Sequence, residues 1–182
     1  MTLNQYQLLA KRTCPSLFAT SPLGAYLDSA HMLYGMMSEI PELLAALDKD
    51  DKVNIQEELS DIVWYLANYC TFNNISLNDL STVEYANIPR GTHVEKITYW
   101  IGELADLEKK QMAYGKSFSV EKQTDVLQNL FFWVTGMFVL SGLNMFEGLE
   151  KNINKLKVRF PEKFDAEKAI NRDLENERKQ LE

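Results

Sequence analysis

The chain has 182 residues and a mass of 21.0 kDa, which is enough for one domain with a sizeable core. Apolar residues make up 46% of the sequence and charged residues 25%, a composition that excludes disordered and fibrous proteins. The net charge of -7 argues against non-specific binding to nucleic acid.

The first half of the chain has the periodicity of two long helices and a short one. Ser21 and Pro22 are typical of a helix start, and apolar residues recur every three or four positions from there to Leu47. The polar turn 48–51 interrupts this pattern, which then resumes as far as Cys70. Ser76, with an acidic residue three positions later, predicts a short third helix.

The second half has a similar plan after a connector that contains Pro89. Thr92, with Glu95 three positions later, predicts the start of a long helix, and Gly115 predicts its end. Ser119 predicts the start of a strongly apolar helix. No run of residues has the alternation of a β-strand, so the predicted class is all-α.

The strongly apolar helix must be compared with a membrane-spanning helix, because the 21 residues between Asp125 and Glu147 carry no charge. Polar residues interrupt this stretch, and its dense apolar part is nearer the length of a buried helix than of a membrane span. We therefore predict a core helix here and no membrane partner. Asp165 then predicts the N-cap of a charged C-terminal helix.

The two halves of the chain have matching patterns, which predicts an internal repeat. Glu39 and Glu42 on the first long helix correspond to Glu103 and Asp106 on the long helix of the second half. Each half would form a helical hairpin, and two hairpins form a four-helix bundle. We predict one domain over residues 1–182, with repeats at 22–85 and 92–160 and a helical tail at 161–182.

Acidic residues at helical spacing occur on both long helices of the first half. Glu39 and Glu42 share one helix face, Glu58 and Asp61 share a face of the next helix, and Glu57 can join them. Carboxylates that converge from two antiparallel helices repel one another unless a cation lies among them. Oxygen ligands without histidine or cysteine suit Mg²⁺ or Mn²⁺. The alternative is that both pairs are solvated faces of surface helices.

Residues 31–70 and 151–179 resemble the MazG-like, all-α nucleoside triphosphate pyrophosphohydrolases. The acidic motif of that family, E-x-x-E followed by E-x-x-D, reads here Glu39-Ile-Pro-Glu42 and Glu58-Leu-Ser-Asp61. The stretch 152–161 resembles the tail of short, often phage-encoded members. The resemblance implies Mg²⁺-dependent hydrolysis of a nucleoside or deoxynucleoside triphosphate to the monophosphate and pyrophosphate.

The resemblance also assigns roles to individual residues. Glu39, Glu42, Glu58 and Asp61 would hold the metal. The catalytic candidates are Glu39, Glu57 and Glu58, because a carboxylate beside the metal can orient or deprotonate the attacking water.

The basic residues of the C-terminal part are candidates for phosphate binding. Lys155 and Arg159 lie four positions apart on one helix face, and the segment 151–163 has five basic residues and one acidic residue. In the family, residues that match this pattern contact the triphosphate, with Asn152 close by. A solvated basic helix is the alternative. Trp64 is the candidate for stacking on the base, although aromatic residues at helical spacing more often belong to the core.

Two features depart from the family pattern. Pro41 falls inside the first acidic pair, where we expect a lost backbone hydrogen bond and a bend. The second half has Val126 and Asn129 where the first half has Glu58 and Asp61. This resembles the tandem arrangement of the dimeric dUTPases, with one working and one degenerate site in each chain.

The predicted partners are a nucleoside triphosphate and a second copy of the chain, without nucleic acid. The two cysteines, Cys14 and Cys70, cannot form the disulfide framework of a small secreted protein, so we expect the cytoplasm, or the host cytoplasm if a phage encodes the chain. The alternative function is a non-catalytic protein of the same fold that binds a nucleotide or a helical partner.

Overall fold

Helices make up the secondary structure of this computed structural model, which describes residues 1–16, 24–81 and 90–182. Within these ranges there is no strand, and the predicted all-α class is confirmed. The helices are α1 (Leu3–Arg12), α2 (Gly24–Asp48), α3 (Lys52–Phe72), a short 3-10 helix (Leu77–Leu80), α4 (Arg90–Tyr114), α5 (Val120–Leu140), α6 (Met145–Arg159), α7 (Ala166–Ile170) and α8 (Leu174–Lys179).

The four long helices α2 to α5 form two hairpins. Asp51 caps α3, because its side chain accepts a hydrogen bond from the backbone N–H of Asn54 at 3.2 Å. Gly115 follows α4 with φ 61°, a left-handed conformation that favours glycine. Since α2 contacts α4 and α3 contacts α5, the hairpins pack into the predicted four-helix bundle.

The helix α3 is the centre of the molecule, with α1, α2, α5 and α6 packed around it. Its apolar side chains are buried on several faces, among them Ile55, Leu59, Ile62, Val63 and Leu66. A charged residue on such a helix is tolerated only where it faces a cavity or an opposite charge. The packing around α3 therefore decides where its acidic residues can lie.

Several predicted helix boundaries are confirmed and others are wrong. Ser119 is the N-cap of α5, as predicted. Ser76 precedes the predicted short helix, a 3-10 helix, but its side chain makes no capping hydrogen bond, so the predicted capping box is not formed. Thr92 is not an N-cap, because α4 already begins at Arg90. The predicted helix start at Ser21 and Pro22 and the connector at Pro89 lie outside the described residues.

Two further details concern helix continuity. The helix α2 continues through Pro41, so Glu39 and Glu42 stay on one element. The charged C-terminal helix is divided into α7 and α8. Asp165 caps α7 as predicted, and Asp173 caps α8 by accepting a hydrogen bond from the backbone N–H of Asn176.

The apolar helix α5 packs inside the bundle, where Leu127, Leu130 and Val134 are fully buried. Among the described helices, none is by itself long and apolar enough to cross a membrane. Only α5 and α6 taken together reach that length, and they meet at a bend of 100°.

Candidate active site

A cavity of about 650 Å³ lies beside α2 and α3, with side chains of both charge signs around it. Five acidic side chains from these two helices line it: Glu39, Glu42, Glu57, Glu58 and Asp61. The helix α6 and the tail 161–182 contribute Arg159, Arg172, Glu177 and Arg178. The cavity thus offers carboxylates and guanidinium groups to the same ligand.

Three of the predicted metal ligands converge at this cavity. Carboxylate oxygens of Glu39, Glu58 and Asp61 lie within 4.8 Å of one another. Glu39 comes from α2, while Glu58 and Asp61 are one turn apart on α3, so the antiparallel pairing of the helices brings them together. Glu42 lines the same cavity but lies outside this group of three, on the exposed part of α2.

The convergence of negative charge changes the acidity of two of these groups. Burial and the nearby charge of Asp61 raise the pKa of Glu39 to about 7 and the pKa of Glu58 to about 9. Glu58 in its protonated form donates a hydrogen bond to Glu39. Burial and the neighbouring acids thus favour the protonated forms of Glu39 and Glu58.

Lys155 of α6 is the counter-ion of the acidic group. Its Nζ lies 2.6 Å and 2.9 Å from the two carboxylate oxygens of Asp61, and 3.2 Å from Oε1 of Glu57. The lysine is only 2% exposed. Burial alone would lower the pKa of Lys155, but Asp61 and Glu57 outweigh burial and raise it, so the lysine stays charged.

Asn152 fixes the orientation of Asp61 from the same helix. Its Nδ2 donates to Oδ1 of Asp61, and its own Oδ1 accepts a hydrogen bond from the Tyr6 hydroxyl at 3.0 Å. Tyr6 also donates to the backbone carbonyl of Ser60 at 3.3 Å. The sequence pattern gave no indication of Tyr6, because α1 lies far from the motif along the chain.

The three predicted phosphate-binding residues have different positions. Arg159 lines the cavity, whereas Lys155 and Asn152 lie behind the acidic group and do not line it. The donors of Lys155 and Asn152 are directed to carboxylates in this structure. Their contact with phosphate stays a prediction.

The guanidinium of Arg159 is bound by a residue that sequence reasoning missed. Its Nε and Nη2 donate to the two carboxylate oxygens of Glu177 at 2.9 Å and 2.6 Å. Arg172 donates to the same carboxylate from Nη2 at 2.7 Å and from Nε at 3.2 Å. In the sequence, Arg172 and Glu177 belong to a segment rich in charged residues. Its pattern does not distinguish them from neighbours that are exposed to solvent.

Aromatic side chains form another part of the cavity wall. Trp64 is 9% exposed and donates from Nε1 to Oγ1 of Thr13 at 3.1 Å. The Tyr65 ring stands nearly perpendicular to it, with 5.0 Å between the ring centres. Tyr65 also packs on Gly35, where a Cβ atom would lie 2.1 Å from the ring. Glycine at this position lets the ring reach the cavity.

The second hairpin has no comparable cluster in the described part of the chain. Asp106 forms ion pairs with Lys109 and Lys110 on its own helix. Val126 is fully buried in the core, and Asn129 donates to Asp125 one turn earlier on α5. At the positions that correspond to Glu58 and Asp61, α5 therefore supplies no carboxylate to the acidic pair on α4.

A comparison with protein families found a match over the first hairpin. Residues 28–84 match the family model described as the MazG nucleotide pyrophosphohydrolase domain. The match covers α2 from residue 28 onwards and all of α3, and thus all five acidic residues of the cavity on those helices. Searches of curated proteins and of solved structures found no match.

Proposed function

We propose, because residues 28–84 match the model of the MazG nucleotide pyrophosphohydrolase domain, that the chain hydrolyses a nucleoside or deoxynucleoside triphosphate to the monophosphate and pyrophosphate, with Mg²⁺. The observation that supports this best is the convergence of Glu39, Glu58 and Asp61 on a cavity that Arg159 also lines. Carboxylates can hold a divalent cation, and an arginine can receive phosphate oxygens.

The acidic group has the chemistry of a site for a hard divalent cation. All its donors are carboxylate oxygens, and burial, followed by the negative charge of Asp61, raises the pKa values of Glu39 and Glu58. Glu39, Glu58 and Asp61 would hold the ion, with Glu42 at the edge of the cavity. When bound, Mg²⁺ supplies charge neutralisation at phosphate oxygens and lowers the pKa of a coordinated water.

The chain's own side chains have distinct tasks in this reaction. Lys155 and Asn152 hold Asp61 in one orientation, which is a positioning role. A carboxylate oxygen of Glu39 accepts the proton of the attacking water, since a carboxylate beside the metal can act as a general base. Arg159 neutralises charge on the departing pyrophosphate. Glu57 is the alternative base, although Lys155 binds one of its oxygens.

We assign the aromatic wall to the nucleoside. Trp64 and Tyr65 line the cavity next to the acidic group, and an aromatic face can stack on any base.

Cys14 and Cys70 are free thiols, in keeping with the proposed cytoplasmic location.

We also propose a homodimer in which the outer face of α2 takes part. Four apolar residues on this face are 38% to 65% exposed: Leu27, Tyr34, Met37 and Leu44. Light scattering after size exclusion should give twice the mass of the chain, and Tyr34→Ser with Met37→Ser should reduce it to one chain. An unchanged mass in the double variant would place the dimer contact elsewhere.

The proposed activity is tested by incubating the protein with the eight common NTPs and dNTPs and Mg²⁺, and measuring the release of pyrophosphate. Glu58→Gln should lower the rate at least about a hundredfold, since even outer-shell changes at metal sites cost roughly 10- to 100-fold. Asp106→Asn is the matched control from the second hairpin and should keep the wild-type rate.

Two outcomes would contradict the proposed activity: no pyrophosphate from any of the eight nucleotides, or equal rates for wild type and Glu58→Gln. Nucleotide binding in calorimetry without any product would instead support the non-catalytic binding protein.

A further inference from the structure

We propose that Arg172 binds substrate phosphate together with Arg159, and that Glu177 holds both guanidinium groups in the free protein and releases them when the polyphosphate enters. This inference rests on the proposed function and deepens it, because it names a phosphate-binding residue in the tail and the anion that the substrate replaces.

The carboxylate of Glu177 is bound as a phosphate would be. Arg159 contacts both of its oxygens, at 2.9 Å and 2.6 Å, and Arg172 makes two contacts to one of them. Glu177 is 2% exposed, so this carboxylate lies inside the protein against the cavity. The planar fork of arginine binds carboxylate and phosphate oxygens in the same bidentate geometry.

The charges of this cluster do not balance. Two guanidinium groups share a single carboxylate, which leaves one positive charge in excess. Arg178, which also lines the cavity, donates to the neutral side chain of Asn54 and forms an ion pair with Glu182 at 3.4 Å. A polyphosphate carries enough negative charge for all three arginines.

The arginines lie within electrostatic reach of the acidic group. Burial would lower the pKa of Arg159, but Glu177 raises it, and the charges of Asp61 and Glu57 contribute in the same direction. A ligand in the cavity can therefore contact the α2–α3 carboxylate region at one end and the arginines at the other. A polyphosphate is an extended ligand of this kind, and its distal phosphates would contact Arg159 and Arg172.

The tail has contacts with the bundle other than those of Glu177. Arg12 donates from Nη1 to the backbone carbonyls of residues 160, 161 and 162, at 2.8, 3.1 and 2.7 Å. Leu181 is 5% exposed, and the rings of Phe160 and Phe164 pack 5.3 Å apart. Glu177 can thus exchange its partners for solvent while the tail keeps Arg172 at the cavity.

The test is calorimetric titration of the full chain with inorganic pyrophosphate in the presence of Mg²⁺. Arg172→Gln should weaken binding about tenfold or more, the usual loss for a charge-assisted hydrogen bond. Glu177→Gln should tighten binding several-fold, because the competing anion is removed while the side chain keeps its size. The matched controls are Lys179→Gln and Glu175→Gln, which remove an exposed charge of each sign from the same tail and should bind like the wild type.

A weaker affinity in folded Glu177→Gln would overturn the inference, since it would make Glu177 a support for the arginines rather than their competitor. An unchanged affinity in Arg172→Gln, or no pyrophosphate binding by the wild type, would also overturn it. Melting curves establish that each variant is folded. If Glu177→Gln does not fold, Glu177→Asp, whose shorter side chain weakens the same ion pairs, takes its place with the same expected tightening.

Nucleotide hydrolysis measured in parallel separates this inference from the proposed function. If the chain hydrolyses a nucleotide but Arg172→Gln and Glu177→Gln both bind pyrophosphate as tightly as the wild type, this inference is refuted and the proposed function is not. Pyrophosphate binding that depends on Arg172, in a chain that hydrolyses no nucleotide, would refute the proposed activity and leave the phosphate site standing.

Discussion

The two hairpins of the bundle carry acidic pairs with the same spacing, yet they differ in how the charge is balanced. In the first hairpin, Glu39, Glu58 and Asp61 converge on a cavity, and the pKa values of the two glutamates are raised. In the second, hydrogen bonds from Lys109 and Lys110 lower the pKa of Asp106.

The second hairpin also contains a buried acid, but neutral donors satisfy it. Tyr69 donates a hydrogen bond to Glu108, and Gln123 donates to the Tyr69 hydroxyl at 3.0 Å. Among the residues that the structure describes, no second carboxylate is part of this network. Spacing on one helix is therefore not sufficient for a cation site. The facing helix must also supply acidic residues, and the bundle must leave a cavity between the two helices.

The largest effect that we predict on folding stability is that of Lys155→Met. The variant leaves Asp61 and Glu57 without their buried counter-ion, which should lower the free energy of unfolding by about 3 kcal/mol. The melting temperature should then fall by on the order of 10 °C. Circular dichroism in metal-free buffer measures this.

The control for this variant is Lys109→Met in the second hairpin. That lysine is on the surface, where an ion pair adds little to stability, and its removal should leave the melting temperature unchanged. Equal melting temperatures for the two variants would contradict the contrast between the hairpins.

Glycine substitutions give the next largest effect. Gly35→Ala places a Cβ atom 2.1 Å from the Tyr65 ring, so the ring must move, at a cost of about 1–3 kcal/mol. Gly102→Ala in α4 meets no atom within 4 Å and should stabilise the helix by about 0.5–1 kcal/mol. Urea unfolding of the two variants should therefore shift in opposite directions. Destabilisation by both would mean that α4 also has a close contact at Gly102.

The sequence pattern was sufficient for features that depend on neighbours along the chain. The three-residue spacing of Glu58 and Asp61 puts them on one face of α3, and the polar turn at 48–51 sets α2 opposite α3. These two facts already bring Glu39 near them. Thr92 shows the limit of local signals, since a capping pattern occurs there inside a continuous helix.

The remaining parts of the site depend on packing between distant segments. Lys155 lies 94 positions from Asp61, and Asn152 lies 146 positions from Tyr6, so no local pattern relates them. Whether a lysine binds phosphate or a carboxylate is decided by which helix face packs on α3. The bond between Arg159 and Glu177 likewise depends on how the tail 161–182 folds back on α6.

The last prediction is a dependence of stability on pH to which Glu39 and Glu58 of the first hairpin contribute. The pKa values of Glu39 and Glu58 are raised in the folded protein, so it holds protons that the unfolded chain releases. The stability from these groups is complete below the ordinary glutamate pKa of about 4.3 and is lost as the pH rises through about 7 and about 9. In metal-free buffer, the melting temperature should fall over this range.

Two variants and one ion identify the source of this pH dependence. Glu58→Gln cannot ionise and should flatten the slope, whereas Asp106→Asn should keep it, because the lowered pKa of Asp106 places its titration far below this range. Mg²⁺ should raise the melting temperature of the wild type more near pH 9 than near pH 6, since a cation binds the ionised carboxylates. If Mg²⁺ raised the melting temperatures of the wild type and Glu58→Gln equally, the ion would bind outside the first hairpin. Cation binding would then not distinguish the two hairpins.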